Sequence, residues 1–491
     1  MKTPARLRQE ALRHASRRQF LQACPAGVAA LGLAANGSTA AAASLGHDLP
    51  AAAQGLSDAF VPTVARAQRV IHLNMLGGPS QFELFDYKPM LRRWSGSRGP
   101  AEWRVDRRAV DPWAGRLLGP QCSFSQHGES GTWVSDRLPA FSQIVDSVSF
   151  IHTVHTDAFD HASAQRRLHC GHAAQEQVGS LPQYGASLGA RVTAGLGCVS
   201  PNLPGHVVLF SGGSLPAAGP LAWGHGHLPS NCQGIRCLGN GDPVLFLCDP
   251  AESQRPPCSE LVPAISRFHR QAYQRLGNPL GIARVGRAAT TYAMQAAAAE
   301  ATDLAQETRE VRQLYGVRPG RESFANHCLL ARRLVERGVR YVQLFNDGWD
   351  AHGRTAAESL QGGFQRKCGE IDRPIAALLI DLERSGLLDD TLVVWGGEFG
   401  RTPTRSAVPG TSPRWAGRDH HPAASTMWLA GAGIRPGVHY GQTDELGYAA
   451  VENPVSVDDV QATVLELAGL NTEPLSDGQR PQTIAPDSIL A

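Results

Sequence analysis

Three short motifs in the second half of the chain combine carboxylate and imidazole side chains. They are Asp350-Ala351-His352, Glu398 with its neighbours, and Asp419-His420-His421. A mixture of carboxylate and imidazole ligands suits a borderline divalent cation. The sequence therefore predicts a metal site, with zinc as the expected ion and manganese, calcium or iron as alternatives. Each motif alone also fits a simpler interpretation, because polar residues in loops often cap turns.

The first two motifs follow directly after predicted strands. The apolar runs 339–345 and 391–395 read as strands, and one helical segment joins them. Strands joined by a helical crossover are parallel and tend to lie near each other. Ligands of open parallel sheets bind beyond the carboxyl ends of the strands. We therefore expect Asp350, His352 and Glu398 to meet at one edge of a sheet.

A fourth group of candidate residues lies between residues 152 and 172, where five of the 18 histidines occur. His155 and His161 follow a predicted strand, 147–151, and are our candidates for a general base or another functional group. The others are expected to be ordinary helix-capping or solvated histidines.

Strands and helices alternate through the body of the chain. The predicted strands are 69–76, 147–151, 203–210, 339–345, 391–395 and 427–430, and the clearest helices are 322–337, 371–382 and 457–467. Such alternation predicts an α/β fold with a mostly parallel central sheet covered by helices on both faces.

The net charge separates the N-terminus from the rest of the chain. The 491 residues carry 46 Lys and Arg against 44 Asp and Glu, a formal charge of +2. Residues 1–43 hold six basic side chains and one acidic, so the remainder has a charge of −3. This balance argues against nucleic acid as a partner.

The N-terminal segment has the pattern of an export signal. Ser16-Arg17-Arg18-Gln19-Phe20-Leu21 precedes a short apolar run and then small residues up to Ala43. A charged start, an apolar run and small residues at the end are typical of a secretory signal. The paired arginines resemble a twin-arginine signal, which carries folded proteins. A frayed basic helix is the alternative, and the run is too short for a stable membrane span.

These patterns define the expected organisation of the chain. It comprises a signal (1–43), a linker (44–66), one α/β domain (67–475) with a loop-rich insertion near 211–262, and a C-terminal tail (476–491). Four cysteines of the insertion, Cys232, Cys237, Cys248 and Cys258, allow one or two disulfides if the protein is exported. Cys170 and Cys328 are expected to be buried as small apolar residues.

Several motifs together resemble the DUF1501 family, a group of exported, sulfatase-like proteins of the alkaline phosphatase superfamily. They are Gly77-Gly78-Pro79-Ser80, residues 155–161, 329–344, 348–353, 396–403, 417–422 and 452–457. The resemblance implies an alkaline-phosphatase-like three-layer sandwich. It also implies metal-dependent hydrolysis of phosphate or sulfate esters on a small molecule or polysaccharide, in which the metal stabilises charge on the reacting oxygens.

The same resemblance implies roles for particular residues. Asp350 and His352 match two ligands of one metal, and either His420 or His421 matches the third. Of these two, His421 is the expected ligand. His161 stands at the position of the usual nucleophile, where it would act as nucleophile, general base or ligand. Arg401 would neutralise the anionic substrate. Glu398 would support the site.

Other positions depart from the superfamily's pattern. Phe399 stands in place of a histidine and Asn74 in place of an aspartate, so one metal is expected rather than two. Gln81 and Glu83 replace a His and an Asp of the family's Gly-Gly-Pro-Ser-His-x-Asp motif. The mature chain has no Cys-x-Pro-x-Arg sequence, which argues against a formylglycine sulfatase.

The sequence thus predicts an exported, periplasmic or extracellular, one-metal ester hydrolase. The main alternative is a non-catalytic binding protein of the envelope or exterior that retains the fold. A purely structural protein whose histidines cap turns is a third interpretation.

Overall fold

A computed structural model describes most of the chain beyond the N-terminal segment. The described residues are 66–98, 116–171, 176–178, 181–183, 185–200, 202–237, 267, 271, 300–471, 481–484 and 489. All of them belong to one compact unit, residues 57–491. The expected signal (1–43) and nearly all of the expected linker lie outside the described residues.

The described strands and helices alternate as the sequence predicts. The strands are β1 (Arg69–Leu76), β2 (Phe124–His127), β3 (Thr132–Ser135), β4 (Ser149–His155), β5 (Glu176–Val178), β6 (Leu181–Gln183), β7 (His206–Ser211), β8 (Ile235–Cys237), β9 (Tyr341–Asp347), β10 (Thr391–Gly396), β11 (Gly400–Arg401), β12 (His420–His421), β13 (Ser425–Ala430), β14 (His439–Tyr440), β15 (Gln442–Thr443), β16 (Ala450–Glu452) and β17 (Val455–Ser456). The helices are α1 (Pro89–Arg93), α2 (His161–Cys170), α3 (Leu188–Leu196), α4 (Arg309–Tyr315), α5 (Phe324–Glu336), α6 (Gln365–Arg384) and α7 (Val457–Leu467).

Nine of these strands form the central sheet, in the order β14-β4-β13-β10-β1-β9-β7-β8 with β17 also paired to β4. The pairs β10-β1, β1-β9, β9-β7 and β7-β8 are parallel. β13 pairs antiparallel with both β10 and β4. The prediction of an α/β fold with a mostly parallel sheet is confirmed.

The two strands that precede the first two motifs are not neighbours. β9 and β10 both pair with β1, which lies between them, and Asn74 is opposite Phe345 on one side and Gly396 on the other. The sequence placed these strands near each other but could not show that a strand from 270 residues earlier separates them.

Helices cover both faces of the sheet because successive side chains of a strand point to opposite sides. Ile71, Leu73 and Met75 of β1 share one apolar core with α5 and α6. Val70 shares a second core with residues of α2, α3 and α7. Each large apolar side chain buried in these layers contributes roughly 1.5–3 kcal/mol to stability.

Residues 211–237, the described part of the expected insertion, add β8 to the sheet edge beside β7. Cys232 is buried and forms no disulfide with another described residue, and Cys248 and Cys258 lie outside the described residues. Cys170 and Cys328 are buried, as predicted. Within the described residues, every helix is too short or too polar to cross a membrane.

Candidate metal centre

The candidate residues gather at the edge of the sheet where the parallel strands end. Asp350 and His352 follow β9, Glu398 follows β10, and His161 begins α2 after β4. His420 comes before β13 rather than after it. It reaches the same edge because β13 runs in the opposite direction to its neighbours.

Three ligand-type atoms form a nearly equilateral triangle at this edge. Asp350 Oδ1 lies 3.0 Å from His352 Nε2 and 3.2 Å from His420 Nε2, and the two nitrogens are 3.2 Å apart. Two ligand atoms about 2.0–2.1 Å from one tetrahedral ion are separated by about 3.3 Å. The triangle therefore has the dimensions of one face of a tetrahedral metal site.

The tautomers of both histidines are set by oxygen atoms behind them. His352 Nδ1 is 3.1 Å from Asp419 Oδ1, and His420 Nδ1 is 2.9 Å from the carbonyl oxygen of Phe159. Carbonyl and carboxylate oxygens accept hydrogen bonds, so each Nδ1 carries the proton. Nε2 of each ring is then left either to carry a second proton, donated to Asp350, or to offer its lone pair to an ion, as metal-binding histidines do.

His161 is held in the same way from the other side. Its Nδ1 is 2.7 Å from Glu398 Oε1, which also accepts hydrogen bonds from the Gly77 amide at 2.9 Å and from Gln165 Nε2 at 3.0 Å. Its Nε2 is 3.6 Å from Asp350 Oδ2. Ligand atoms of His161, Asp350 and His420 lie within 4.8 Å of one another, a spacing that could hold an ion.

The cluster carries an excess of negative charge when its imidazoles are neutral. Asp350, Asp419 and Glu398 are carboxylates and Arg401 is the cation among them, which leaves a net charge of −2. Burial raises the pKa of Asp350. The hydrogen bonds from the three histidines and the charge of Arg401 outweigh that effect and hold the pKa well below its usual range. A divalent cation would balance this charge.

The pKa values of the histidines respond to the same carboxylates. Burial lowers the pKa of His161, but its hydrogen bonds with Asp350 and Glu398 outweigh burial and raise the pKa to about 9. The pKa of His352 is also raised, because its bonds to Asp350 and Asp419 outweigh burial. Burial dominates for His420 and lowers its pKa.

Arg401 lies enclosed beside Asp350. Its side chain is 1% exposed, and it donates to the carbonyl oxygens of Gly77, Gly78 and Arg418 and, at 2.6 Å, to Asp350 Oδ1. A guanidinium engaged in this way holds Asp350 and the turn after β1, and its role toward a substrate stays a prediction.

Only one of the two adjacent histidines reaches the cluster. His420 and His421 form β12, where neighbouring side chains point to opposite sides. His421 Nε2 donates to the carbonyl oxygen of Tyr448 at 2.5 Å, and its ring packs on that tyrosine. His421, the histidine expected as the third ligand, therefore points away from Asp350, and His420 lies beside that carboxylate instead. The described contacts of the cluster also do not include His155, the last residue of β4.

Asp419 and Glu398, predicted as ligands, lie behind histidines rather than within the triangle. Asp419 accepts hydrogen bonds from His352, Ser406 and the Ala407 amide, and Glu398 accepts from His161. Gln165 is not among the predicted site residues, although its position one helical turn after His161 could have indicated it. Nothing in the sequence indicated that the Phe159 carbonyl would contact His420.

The positions that depart from the superfamily's pattern have structural contacts. Asn74 Nδ2 donates to the carbonyl oxygen of His72 at 3.1 Å. The Phe399 ring packs 4.3 Å from that of His420 and 5.1 Å from that of His161, between centroids. Glu83 forms a fully buried ion pair with Arg418 at 2.7 Å. Arg418 is the residue directly before Asp419.

Comparison with known proteins gives one family and several distant structures. The sequence model described as "Protein of unknown function (DUF1501)" matches residues 67–488. No curated protein matches the sequence.

Among solved structures, the phosphonate monoester hydrolase of Silicibacter pomeroyi is 10% identical, with 86% of this chain and 76% of that chain covered and a TM-score of 0.36. The alkaline phosphatase of the Antarctic bacterium TAB5 is 9% identical, with 83% of this chain and 99% of that chain covered and a TM-score of 0.31. The PsFucS1 sulfatase of Pseudoalteromonas sp. is 10% identical, with 87% of this chain and 72% of that chain covered and a TM-score of 0.34. Because these TM-scores are below 0.5, the similarities do not determine the function of this chain.

Proposed function

We propose, from the premise that this chain belongs to the DUF1501 family, that it is a hydrolase of phosphate or sulfate esters that depends on one divalent metal ion. The substrate would be a small molecule or a polysaccharide ester. Asp350, His352 and His420 would hold the ion, and Arg401, Asp419 and Glu398 would hold the residues that face it.

One observation carries this proposal. Asp350 Oδ1 and the Nε2 atoms of His352 and His420 lie 3.0–3.2 Å apart. Because both Nδ1 atoms donate to oxygens, neutral imidazoles would place three lone-pair-bearing atoms against one another with no hydrogen between them. A cation above the centre of the triangle, as at the middle of a tetrahedron, satisfies all three, whereas protonation cannot place a hydrogen on both facing nitrogens without a clash of like charges.

The surrounding residues give the site its chemical character. A bound divalent ion would polarise the ester and stabilise negative charge on its oxygens. Arg401 keeps Asp350 ionised and oriented. Asp419 and the Phe159 carbonyl keep His352 and His420 in the tautomer that binds metal. An anionic substrate would be neutralised by the ion, since Arg401 is enclosed.

The accessible side of the cluster indicates where a substrate would enter. Asp350 is 39% exposed and His161 is 27% exposed, whereas Glu398 and Arg401 are 1% exposed. Phe159 lies beside this opening, with its side chain 41% exposed and its carbonyl bound to His420. An open position on the ion is what a catalytic metal site requires.

A single ion is proposed because the second set of ligands is replaced. Asn74 donates through Nδ2 to the His72 carbonyl and offers only a neutral amide oxygen in place of a carboxylate, and Phe399 offers no ligand atom. With no Cys-x-Pro-x-Arg sequence in the mature chain, a formylglycine nucleophile is also not part of the proposal.

The experiment combines metal analysis with a panel of substrates. The purified protein is assayed for bound zinc, manganese, iron and calcium, and then for hydrolysis of nitrophenyl phosphate, phosphonate and sulfate esters. We expect about one equivalent of metal, and ester hydrolysis that a chelator abolishes and the metal restores. Asp350→Asn should lose both. Metal-free wild type that gains nothing from added ions would refute the proposal.

The alternative is a binding protein that keeps the site without catalysis. It would be favoured if the protein binds one ion but cleaves no ester across the panel, while a phosphate or sulfate compound still binds in a metal-dependent manner. Titration calorimetry with inorganic phosphate and sulfate, with and without the ion, provides that measurement.

Export of the protein is also part of the proposal, on the pattern of residues 16–43. A twin-arginine signal would deliver the folded chain to the periplasm or exterior. Arg17→Lys together with Arg18→Lys should retain the full-length protein in the cytoplasm, as measured by fractionation and by the mass of the N-terminus. Unchanged export of this variant would contradict the assignment.

A further inference from the structure

His161 shares its arrangement with the two histidines of the triangle. In all three residues, Nδ1 is bound to an oxygen acceptor and Nε2 is turned toward the carboxylate of Asp350. The acceptors are Glu398, Asp419 and the Phe159 carbonyl, and they come from three different segments of the chain. A hydrogen bond at one ring nitrogen that frees the other for an ion is typical of metal-binding histidines.

The approach of His161 complements that of its partners. His352 and His420 lie near Oδ1 of Asp350, whereas His161 Nε2 lies 3.6 Å from Oδ2. The His161 and His420 rings are 4.4 Å apart between centroids, at 70° to each other. An ion in contact with the carboxylate would therefore have two imidazoles on one side and the third on the other.

The His161 ring is held in this orientation by several contacts. Glu398 is buried and receives hydrogen bonds from Gly77, Gln165 and His161 on the same oxygen, Oε1. The Phe399 ring packs against the face of His161, 5.1 Å between centroids. A side chain fixed from behind and on one face cannot rotate toward solvent without breaking these contacts.

We infer that His161 is a ligand of the metal ion, and that the centre is built from three imidazole nitrogens and one carboxylate. The inference rests on the proposed metal site and adds a fourth protein ligand to it, so that a substrate would bind as a fifth ligand. Three imidazoles favour zinc, iron, manganese or cobalt over calcium and magnesium, which take oxygen ligands. A ligated His161 cannot also serve as the covalent nucleophile, so its Nε2 acquires no phosphoryl or sulfuryl group.

The experiment counts the coordinated imidazoles directly. The full-length protein is stripped of metal, loaded with one equivalent of Cu²⁺, and studied by electron spin-echo envelope modulation, which detects the distal nitrogen of each bound imidazole. We expect three imidazoles in the wild type and two in His161→Ala. His155→Ala, which removes a histidine six residues earlier at the end of β4, should retain three.

Zinc affinity provides a second measurement that does not depend on activity. His161→Ala should weaken zinc binding by at least tenfold, and Glu398→Gln should weaken it by about 10–100-fold through the loss of its hold on the imidazole. Millimolar Ca²⁺ should not displace zinc from the wild type. Circular dichroism and melting of the metal-free proteins control for folding.

Two outcomes would overturn the inference. One is a count of two imidazoles in the wild type that His161→Ala does not change, and the other is displacement of zinc by Ca²⁺. These outcomes are independent of the proposed function: a two-imidazole protein that hydrolyses esters would leave that function standing. A three-imidazole protein that cleaves no ester would leave the ligand assignment standing.

Discussion

Two groups of three histidines have opposite environments. The edge group (His161, His352 and His420) surrounds the carboxylate of Asp350. The buried group comprises His72 of β1, His206 of β7 and His169 of α2. It contacts the neutral side chains of Tyr341 and Gln343. The residue type is the same, so the difference must come from the partners.

The partners set the pKa values in opposite directions. Carboxylates raise the pKa of His161 to about 9 against the effect of burial. Burial alone lowers the pKa of His72 to about 3, and burial lowers that of His206 to about 4 despite its bond to Gln343. In the edge group the carboxylates raise the pKa of His161 and His352, although burial still lowers that of His420. In the buried group, burial lowers the pKa of all three histidines and keeps them neutral.

The comparison teaches that histidine density in a sequence does not identify a site. Of the five histidines between residues 152 and 172, His161 joins the edge group and His169 joins the buried group. His152 instead pairs with His439 through their ring nitrogens, 2.9 Å apart. A charged partner distinguishes the histidines of the edge group from those of the buried group, and the number of histidines in a stretch of sequence does not.

The largest effect should follow from removing the carboxylate that defines the edge group. Asp350→Asn should weaken zinc binding by more than about 100-fold, because loss of a direct ligand exceeds the 10–100-fold cost of losing an outer partner. Titration calorimetry with zinc measures the change. Asp347→Asn, three residues earlier in the chain, is the matched control, since its carboxylate binds the Ser214 amide. Equal losses of zinc affinity in Asp350→Asn and Asp347→Asn would show that Asp350 has no specific role in binding the ion.

The second largest effect should come from the carboxylate behind His352, which we expect to position that imidazole for the ion. Asp419→Asn removes the ionised acceptor of His352 Nδ1 and should weaken zinc binding by about 10–100-fold. The same titration measures it, with the melting temperature of the metal-free protein as control for folding. Ser406→Ala, which removes one hydrogen bond to Asp419, should have a smaller effect. Unchanged affinity in Asp419→Asn would show that His352 is not positioned through this bond.

The buried group should affect stability without affecting the metal. Gln343 donates to His169 Nδ1 and to the Ala222 carbonyl, and its Oε1 is 3.2 Å from His206 Nε2. Gln343→Leu leaves these buried groups unsatisfied and should lower the free energy of unfolding by about 1–3 kcal/mol. Urea denaturation measures the loss, and Gln126→Leu on the surface is the control. A matching loss of zinc affinity would contradict the separation of the two groups.

The smallest effect is the pH dependence of the buried group. Between pH 7 and pH 6 the unfolded chain begins to protonate His72, whereas the folded chain, with its pKa near 3, does not. The unfolded state then binds more protons, so the free energy of unfolding falls as the pH falls. His72→Phe removes this contribution.

The decrease between the two pH values should therefore be smaller in His72→Phe than in the wild type by about 0.5–1 kcal/mol. Urea denaturation of both metal-free proteins at pH 7 and pH 6 measures it, because all other titrating groups, including the edge group, are shared. Identical decreases would mean that His72 is hydrated or charged in the folded protein.

Much of the central sheet could be predicted because its strands are continuous apolar runs. The predicted bounds 69–76 and 457–467 coincide with β1 and α7. The position of β1 between β9 and β10 could not be predicted, since pairing of distant strands leaves no local pattern. Strands of two residues such as β11 and β12 are too short to show a period.

The sequence predicted which types of residue form the candidate site and at which strand ends they lie. Asp350, His352 and His161 were identified there, but the choice between His420 and His421 depended on a short strand that alternates their side chains. The position of Arg401 could not be predicted, because three of its partners are main-chain carbonyls. Any residue type can supply such a carbonyl, so the sequence holds no sign of them.

The hydrogen bond between His420 and the Phe159 carbonyl joins residues 261 positions apart, and that between His161 and Glu398 joins residues 237 apart. Closing such long loops costs entropy that only an assembled sheet can offset. Assembly of the edge group therefore depends on long-range contacts of the sheet, and an ion bound there would stabilise the folded state by joining residues from distant parts of the chain. Under the proposed twin-arginine export, which carries folded proteins, this site would be assembled in the cytoplasm before the chain leaves that compartment.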